Sequence, residues 1–459
     1  MAIAARTLKP RRSGGIAFPA GGLLGPKVEP IIRRTHYWLA ASFVGGNLIL
    51  HRGRVVVCTR MRTGWVLLMN RRQFLRTANL AAASALFTGC AGRKNTVGSA
   101  ISSAALAPVN LPESACHLPP VRVSDDRVIR SVVGLRPYRP SGFRVEREQL
   151  GDTVVVHNYG HGGGGITLSW GTAKLATDQG LKGHVGAVAV LGCGVMGLTT
   201  ARMAQDAGFA VTIYTKAMPP DTTSNIAGGQ WSPATVFDDG EKVSEAFTDQ
   251  FIAACKYAYE RYQILTEARY GVRWMRNYQV SRTPIQLWSG PGPDRPRIYS
   301  ALDGLQPERR VLKKEENPFG IGYASQFDGM IMEPPMLLNA LVTDFRLAGG
   351  KVVVRELKSP AEVQGLEEKL VFNCTGLGAR ALFGDEELVP LRGQLTFLLP
   401  QPEVTYATIF EDTYMFSRRD GVLLGGTHEM GDWSLEVDQA TVKEKLAKHA
   451  ELFGSMKAC

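Results

Sequence analysis

One segment constrains the fold of this 459-residue chain more than any other. An apolar run, VAVL at residues 188–191, leads directly into GCGVMG at 192–197. An Ala-, Leu- and Met-rich stretch follows as far as Ala207 and Gly208, and a second β-like run, AVTIY, occupies 210–214. This spacing predicts a βαβ unit whose glycines allow a tight turn, the close approach of a pyrophosphate and close helix–strand packing. We therefore expect an α/β fold that binds a dinucleotide.

The second strand does not identify that dinucleotide. It normally ends in an acid that binds the adenosine ribose, but Tyr214, Thr215 and Lys216 offer none, and the position of Lys216 suits NADP. The sequence DTTSNIAGGQW at 221–231 follows, with hydroxyl donors and small residues that suit a phosphate or a flat ring. An ordinary helix-capping loop explains this cluster equally well, so both interpretations stay open here.

The excess of basic over acidic residues lies in the N-terminal region of the chain. Residues 1–76 hold 14 of the 53 Lys and Arg residues but one of the 42 Asp and Glu residues, so the net charge of +11 says little about the rest. We expect no nucleic-acid partner, because basic residues must lie on the folded surface to bind phosphate. A composition of 44% hydrophobic and 21% charged residues excludes a wholly disordered chain.

The head also contains a targeting pattern. NRRQFLR at 70–76 resembles a twin-arginine export signal, and FTGC at 87–90 resembles a lipoprotein processing site with Cys90 as the lipid-bearing residue. A buried Ala-rich helix is the alternative. Because export signals work at the N-terminus, we expect translation to begin at Met69, with 1–68 an upstream extension without a folded role. Residues 69–90 are then the signal and 91–120 a linker, in an exported, periplasmic or cell-surface protein tethered through Cys90.

Several further segments resemble the D-amino-acid oxidase family of FAD enzymes. They cover roughly 121–459 and are GLRPYRP at 134–140, HNYGHGGGGIT at 157–167, FNCTGLGAR at 372–380, RGQ at 392–394, TY at 413–414, LGGT at 424–427 and GDW at 431–433. In that family the βαβ unit opens the chain and the HNYGHGG segment closes it, whereas here the order is reversed. The sequence therefore predicts a circular permutation, with residues 179–186 joining the former termini.

The resemblance implies FAD as the cofactor and a fold of two lobes. A Rossmann-like FAD-binding lobe is expected over about 151–235 and 340–385. A mixed-sheet substrate lobe is expected over about 121–150, 236–339 and 386–459.

The resemblance also assigns the site residues. It implies that Arg136, rather than Arg139 or Arg144, grips the substrate carboxylate in two bonds. Tyr414 is implied to hydrogen-bond the carboxylate and the Gly163 carbonyl to accept from the amine, while a second family tyrosine is Phe410 here. The residues expected to contact FAD are Gly162, Gly163, Gly165, Ile166, Thr167, Gly192, Gly194, Val195, Met196, Gly197, Thr222, Thr223, Ser224, Gly228, Gly229, Gln230 and Leu357.

The glycine-rich run 160–165 predicts a backbone site for an anion. Its glycines allow positive φ and expose successive backbone N–H groups as an anion-binding concavity. With Ile166 and Thr167 at the start of a helix, these groups are predicted to face the flavin pyrimidine edge. His157 and His161 are four residues apart, but glycines prevent the helix that would make them zinc ligands, so we expect no metal.

The expected reaction is oxidation of a D-amino acid over the flavin. The substrate loses its α-hydrogen as hydride to N5, oxygen takes up the electrons to give hydrogen peroxide, and the imino acid hydrolyses to a 2-oxo acid and ammonia. A dehydrogenase that passes electrons to a quinone or carrier, and a flavin-binding surface protein without turnover, are the alternatives. An NADP reductase is favoured by Lys216 alone.

Overall fold

The computed structural model describes residues 118–238, 243–285, 297–305 and 307–456, together with three short strands nearer the N-terminus. The chain divides into two units, Met1–Pro108 and Val109–Cys459. In the first unit, β1 (Leu39–Phe43), β2 (Gly46–His51) and β3 (Arg54–Cys58) form an antiparallel sheet. The predicted export signal, Cys90 and most of the predicted linker lie outside the described residues, so those expectations stay predictions.

The second unit contains fifteen strands among the described residues, and β4–β18 are, in chain order, Val128–Tyr138, Arg144–Leu150, Thr153–Tyr159, Val188–Leu191, Val211–Thr215, Val272–Ser281, Arg310–Val311, Tyr323–Met332, Lys351–Val354, Leu370–Asn373, Val389–Leu398, Tyr406–Phe410, Thr413–Arg418, Gly421–Gly425 and Glu429–Met430. Its described helices, α1–α9, are Gly165–Gly180, Val195–Asp206, Thr223–Ile226, Glu245–Gln263, Arg297–Ser300, Pro334–Leu347, Pro360–Gln364, Gly378–Phe383 and Gln439–Gly454. Short 3-10 turns occupy Asp125–Arg127, Gly162–Gly164 and Ala268–Tyr270.

The first sheet of this unit is Rossmann-like. Its strand order is β12-β8-β7-β13-β6-β5, and every pair is parallel except β5 with β6. All four residues of β7 are buried, as expected of a central parallel strand. The order β7–α2–β8 confirms the βαβ unit predicted from the glycine motif.

The connection from α1 into this unit is short. Helix α1 ends at Gly180 and β7 begins at Val188, so a few residues carry the chain from one end of the helix back into the sheet. This is the connection expected over residues 179–186. The circular permutation itself stays a prediction.

Two predicted lobe boundaries differ from the structure. We expected 121–150 in the substrate lobe, but β5 pairs with β6 along its whole length and so belongs to the Rossmann-like sheet. We also expected 236–339 there, but α4 packs against α1, where a Cβ on Gly171 would lie 2.0 Å from the Ala254 carbonyl oxygen. Contacts between distant segments decide both placements, and local sequence patterns do not report such contacts.

The second sheet is mixed and has nine strands. Its order is β10-β11-β9-β15-β16-β17-β14-β18, with β4 paired to β14. One face, here called the inner face, carries an apolar cluster that includes Met275, Ala407, Phe416 and Leu423. The opposite face packs against buried residues of α9 such as Leu446. The two sheets confirm the predicted α/β fold with a Rossmann-like and a mixed-sheet part.

The helix starts divide into two kinds. Helices α4, α7 and α9 begin with side-chain caps from Ser244, Ser359 and Asp438. Helices α1 and α2 begin instead at Gly164 and Gly194, with no hydrogen bond from a capping side chain. Gly164 and Gly194 have no side chain that could accept from the first-turn N–H groups, and at α2 the Val195 N–H donates to Ser224 Oγ instead. No helix in the described part of the chain combines the length and the apolarity needed to cross a bilayer.

Candidate active site

The glycine turn between β7 and α2 is built for close backbone approach. Gly192 has φ of +100°, which favours glycine, and a Cβ on Gly197 would lie 2.0 Å from the Gly192 carbonyl oxygen. Any side chain at Gly197 would therefore force the turn away from the helix. The turn brings backbone N–H groups together at the start of α2, and their predicted contact with a pyrophosphate stays a prediction.

A hydroxyl from the next segment lies at that helix start. Ser224 Oγ accepts a hydrogen bond from the Val195 N–H at 3.0 Å, and a Cβ on Gly194 would lie 3.0 Å from the same oxygen. Ser224 therefore acts as a cap for α2, whereas the Thr222 side chain accepts no hydrogen bond from the first turn of α3. Its hydroxyl instead contacts Asn225 Oδ1 at 2.8 Å.

The second glycine segment has two N–H groups fewer to offer than predicted. Gly163 is exposed, but its N–H donates to the Thr235 carbonyl at 2.8 Å, and the Gly164 N–H donates to the His161 carbonyl at 2.9 Å. These two groups are therefore not free to face the flavin edge. Gly165, Ile166 and Thr167 form the first turn of α1, and their contact with the flavin stays a prediction.

The two glycine-led helices meet each other. A Cβ on Gly165 would lie 3.8 Å from Met196 Cε, and Thr172 Oγ1 contacts Met196 Sδ at 3.6 Å. Thr167 Oγ1 donates to the Ser232 carbonyl at 3.0 Å. The structure therefore brings both predicted cofactor segments and the chain after α3 together.

The remaining predicted cofactor residues have different positions. Gly229 lies beside β11, where its carbonyl accepts from the Met332 N–H at 2.7 Å, and the Gln230 side chain donates to Asn277 Oδ1 at 2.7 Å. Leu357 lies in an apolar cluster on the other face of the Rossmann-like sheet. That cluster also contains Leu191, which precedes the glycine turn, but no described contact joins Leu357 to the turn itself.

The two histidines of the glycine-rich segment are held by protein partners. His157 lies 2.9 Å from Glu148 and 3.0 Å from Asn373, and burial lowers its pKa. His161 Nε2 lies 3.0 Å from Thr172 Oγ1, and complete burial lowers its pKa to about 3. Among the described residues, no group of three or more His, Cys, Asp or Glu side chains could hold a metal ion.

Arg136 differs from the arginines near it. Arg139 pairs with Asp385 and Glu387, and Arg144 pairs with Glu146 and Glu148. Arg136 is half-buried on β4 and has no ion pair with any described residue. Its Nη1 contacts three backbone carbonyls, of which Thr427 is the nearest at 3.2 Å. Its other nitrogens have no hydrogen-bond partner among the described residues, and the binding of a substrate carboxylate by Arg136 stays a prediction.

Tyr414 lies close to that segment. Its ring stacks on Phe416 with centroids 4.7 Å apart, and a Cβ on Gly425 or Gly426 would lie 2.7 Å from its hydroxyl. The hydroxyl has no hydrogen-bond partner in the described part of the chain. Arg136 and Tyr414 therefore flank residues 425–427 from two sides.

The substrate residues also border the cofactor segment. A Cβ on Gly228 would lie 3.1 Å from the Phe416 ring and 3.6 Å from the Tyr414 ring. Tyr414, which is predicted to bind the substrate carboxylate, therefore lies next to Gly228, which is expected to contact FAD.

Phe410 does not share this environment. It pairs with Thr413 across a two-residue turn, whereas Tyr414 pairs with Ile409, so the two aromatic rings point to opposite faces of the sheet. Phe410 is 2% exposed and packs in the cluster under α9. Its replacement of a tyrosine therefore does not alter the face that carries Tyr414.

The donor set fits FAD. Two glycine-led helix starts and the Ser224 hydroxyl suit a pyrophosphate and the polar edge of a flat ring, and the glycines leave the room that a Cβ would fill. This arrangement, next to a free guanidinium on a mixed sheet, defines the class of FAD-dependent oxidoreductases.

Comparison with known proteins identifies the family within this class. The model of the family DAO, described as FAD dependent oxidoreductase, matches residues 22–179 and 187–457, and the chain belongs to this family. A D-amino-acid oxidase of Rubrobacter xylanophilus is 30% identical over 285 residues, which cover 60% of this chain and 79% of the relative. The D-aspartate oxidase of Homo sapiens is 28% identical over 277 residues, covering 59% and 76%. A glycine oxidase of Geobacillus kaustophilus, a solved structure, is 17% identical with a TM-score of 0.44, covering 59% and 80%.

Sequence reasoning missed several residues that shape the site. Thr235 and Ser232 use backbone carbonyls, which no sequence motif reports. Asn277 is fully buried in the middle of β9, where it receives the Gln230 side chain. Its sequence gives no signal for this role, because β9 also contains Arg273, Arg276 and Gln279, and only the burial of Asn277 shows that its amide needs a partner.

Proposed function

We propose that the protein catalyses the oxidative deamination of D-amino acids to 2-oxo acids with FAD as cofactor and oxygen as electron acceptor. The observation that carries the proposal is the half-buried Arg136, which has no acidic partner among the described residues and lies with Tyr414 beside Gly228. A buried or half-buried cation without a counter-charge is costly, and a substrate carboxylate removes that cost. The D-amino-acid oxidase relatives support the same substrate class.

The side chains and backbone of the site act by orienting the substrate. The Arg136 fork fixes the plane of the α-carboxylate, and the Tyr414 hydroxyl adds a third hydrogen bond from β16. The Gly163 carbonyl, exposed at the start of the glycine segment, accepts from the substrate amine. Such positioning of a reacting bond lowers a barrier by several kcal/mol.

The cofactor supplies the electron acceptor, which no side chain of this site provides. FAD, held at the starts of α1 and α2 and beside Ser224, would supply the acceptor for the α-hydrogen as hydride and a route for two electrons to oxygen, with hydrogen peroxide as the product. The resulting imino acid takes up water and releases ammonia, leaving the 2-oxo acid.

The test is an anaerobic spectral titration of the FAD-loaded protein. We expect flavin absorbance to bleach with a mixture of D-amino acids and to stay unchanged with the matching L-amino acids. Admission of air should restore the absorbance with one peroxide per turnover. Bleaching without recovery in air would identify a dehydrogenase instead, and a flavin that no D-amino acid bleaches would refute the proposal in favour of a binding protein.

A further inference from the structure

The guanidinium of Arg136 rests against backbone rather than against other side chains. Its Nη1 donates to the carbonyls of Leu391, Arg392 and Thr427. A Cβ on Gly393 would overlap the guanidinium, so the side chain lies directly over this glycine. The direction in which Arg136 presents its remaining nitrogens therefore depends on how these carbonyls are held.

The Thr427 carbonyl comes from a part of the chain that leaves the regular sheet. Strand β14 pairs with β17 from Thr396 onwards and with β18 only at Leu391 and Arg392. The chain that passes opposite residues 393–395 therefore has no strand pairing to fix it. Yet this chain supplies the carbonyl nearest to Arg136, that of Thr427, at 3.2 Å from Nη1.

The hydroxyl of Thr427 takes the place of the missing strand pairing. Thr427 Oγ1 accepts a hydrogen bond from the Gln394 N–H at 2.9 Å and donates to Glu429 Oε2 at 3.0 Å. A hydroxyl that accepts on one side and donates on the other has its proton and its rotamer defined. The hydroxyl therefore ties Thr427 to β14, and the backbone of the same residue faces Arg136.

A buried ion pair holds the other end of this connection. Arg392 is 5% exposed, and its Nη1 lies 2.8 Å from Glu429 Oε2, the oxygen that also accepts from Thr427. Its Nε donates to the Ser434 carbonyl at 3.0 Å. Because a buried guanidinium is stable only with its charge and its N–H groups paired, Glu429 is kept in place. A continuous chain of contacts thus runs from Arg392 through Glu429 and Thr427 to Arg136.

We propose that Thr427 is a positioning residue for Arg136. Its hydroxyl, held between the Gln394 N–H and Glu429, fixes the carbonyl that orients the Arg136 guanidinium toward the substrate carboxylate. The proposal rests on the proposed function, because binding of the α-carboxylate by Arg136 is itself proposed there. It gives the RGQ segment at 392–394 and Thr427 of the LGGT segment a shared role, which is to hold the carboxylate-binding arginine in one orientation.

The test uses Thr427→Val, which keeps the shape of the side chain and removes the hydroxyl. In the FAD-loaded full chain, perturbation of the flavin spectrum gives the dissociation constant of butanoate, a simple carboxylate without an amine. We expect this constant to rise about 10-fold. The half-saturating concentration of the best D-amino acid in anaerobic flavin reduction should rise by about the same factor. The limiting rate should stay within about 3-fold, because the lost binding is common to ground state and transition state.

Two further changes at the same position accompany Thr427→Val. Thr427→Ser keeps the hydroxyl and should restore butanoate binding to within about 2-fold of wild type. Thr427→Ala removes the hydroxyl with a smaller side chain and should show the same weakening as the Val variant. It also covers the case that Thr427→Val does not fold.

Thr408→Val is the matched control, because it makes the same change in the same sheet. Thr408 is fully buried, and its hydroxyl has no hydrogen-bond partner in the part of the chain that the structure describes. It pairs in register with Met415, which belongs to the apolar cluster under α9. We expect butanoate binding and flavin reduction to be unchanged in this variant.

A double-mutant cycle with Arg136→Met distinguishes positioning from a general effect on the fold. If Thr427 acts through Arg136, Thr427→Val should weaken butanoate binding less than about 2-fold once the guanidinium is gone. A merely structural role would weaken binding by the same factor in both backgrounds. That result, or unchanged butanoate binding in Thr427→Val, would overturn the proposal.

The binding measurement also separates this proposal from the proposed reaction. If no D-amino acid reduces the flavin, but Thr427→Val weakens butanoate binding only when Arg136 is present, the positioning role stands and the proposed reaction is wrong. If D-amino acids reduce the flavin and both backgrounds lose equally, the reaction stands and the positioning role is wrong. Butanoate binding that does not depend on Arg136 would refute both assignments.

Discussion

Replacing Arg136 with Met tests most directly whether this residue binds the substrate carboxylate. The wild-type guanidinium uses Nη1 for three backbone carbonyls at 3.2–3.5 Å, so its other nitrogens are available to a substrate. Two hydrogen bonds to a charged carboxylate contribute roughly 1.5–3 kcal/mol each. At about 1.4 kcal/mol per tenfold in rate, their loss predicts a fall in kcat/KM of roughly 10²–10⁴-fold.

The same change should affect folding little. The three carbonyl contacts are long, and Arg136 has no ion pair with a described residue, so its removal leaves no buried acid uncompensated. We therefore expect the free energy of unfolding in urea to change by less than about 1 kcal/mol. The flavin absorbance per protein should also stay at the wild-type level.

The assay is stopped-flow flavin reduction under nitrogen, with the D-amino acid that reacts fastest in the wild type. Arg130→Met is the matched control, because Arg130 lies on the same strand and pairs with Asp420 at 2.8 Å on the surface. A folded, FAD-loaded Arg136→Met protein that retains kcat/KM within 10-fold of wild type would refute the assignment.

Three further predictions follow from the same geometry. Gly197→Ala should lose most of its FAD, measured as flavin absorbance after gel filtration, because the new Cβ would lie 2.0 Å from the Gly192 carbonyl oxygen; Gly454→Ala, with open space around it, is the control. Tyr414→Phe should lower kcat/KM about 5–10-fold, the value of roughly 1 kcal/mol for one hydrogen bond, and unchanged kinetics would remove Tyr414 from the grip. His161→Gln should flatten the dependence of unfolding free energy on pH. Because burial lowers the pKa of His161 to about 3, wild-type stability should fall as pH drops below 6.5, by about 1.4 kcal/mol per unit and so by roughly 2 kcal/mol at pH 5; equal slopes in urea titrations would contradict this.

Local sequence patterns predicted the parts of the fold that depend on near neighbours. The βαβ unit follows from an apolar strand, a glycine turn and an amphipathic helix in direct succession, so its existence needs no distant contact. The strand, glycine run and helix from Thr153 to Gly180 follow for the same reason. Both were found where the sequence placed them.

Those local patterns could not predict how distant segments pair. Strand β5 has a single buried residue, Val145, so its sequence does not indicate which sheet it joins, and its partner is decided by the short turn into β6. The orientation of Phe410 depends on the length of the turn at Glu411 and Asp412, because a shift of one residue reverses the face of every side chain in the strand. The hydrogen bond from the Gly163 N–H to the Thr235 carbonyl likewise could not be predicted without the tertiary structure.

One continuous segment, residues 222–235, connects the cofactor and substrate parts of the site. Its Ser224 hydroxyl contacts the start of α2, Gly228 lies against Tyr414, and the Thr235 carbonyl holds the glycine segment before α1. Because a single stretch of backbone makes all three contacts, a displacement at one end changes the distance between the carboxylate grip and the cofactor. Under the proposed function, this segment and Arg136 together set the position of the substrate α-carbon relative to the flavin, and an oriented hydride donor is sensitive to displacements of about 1 Å. Substitutions along 222–235 should accordingly lower kcat even where they touch neither ligand.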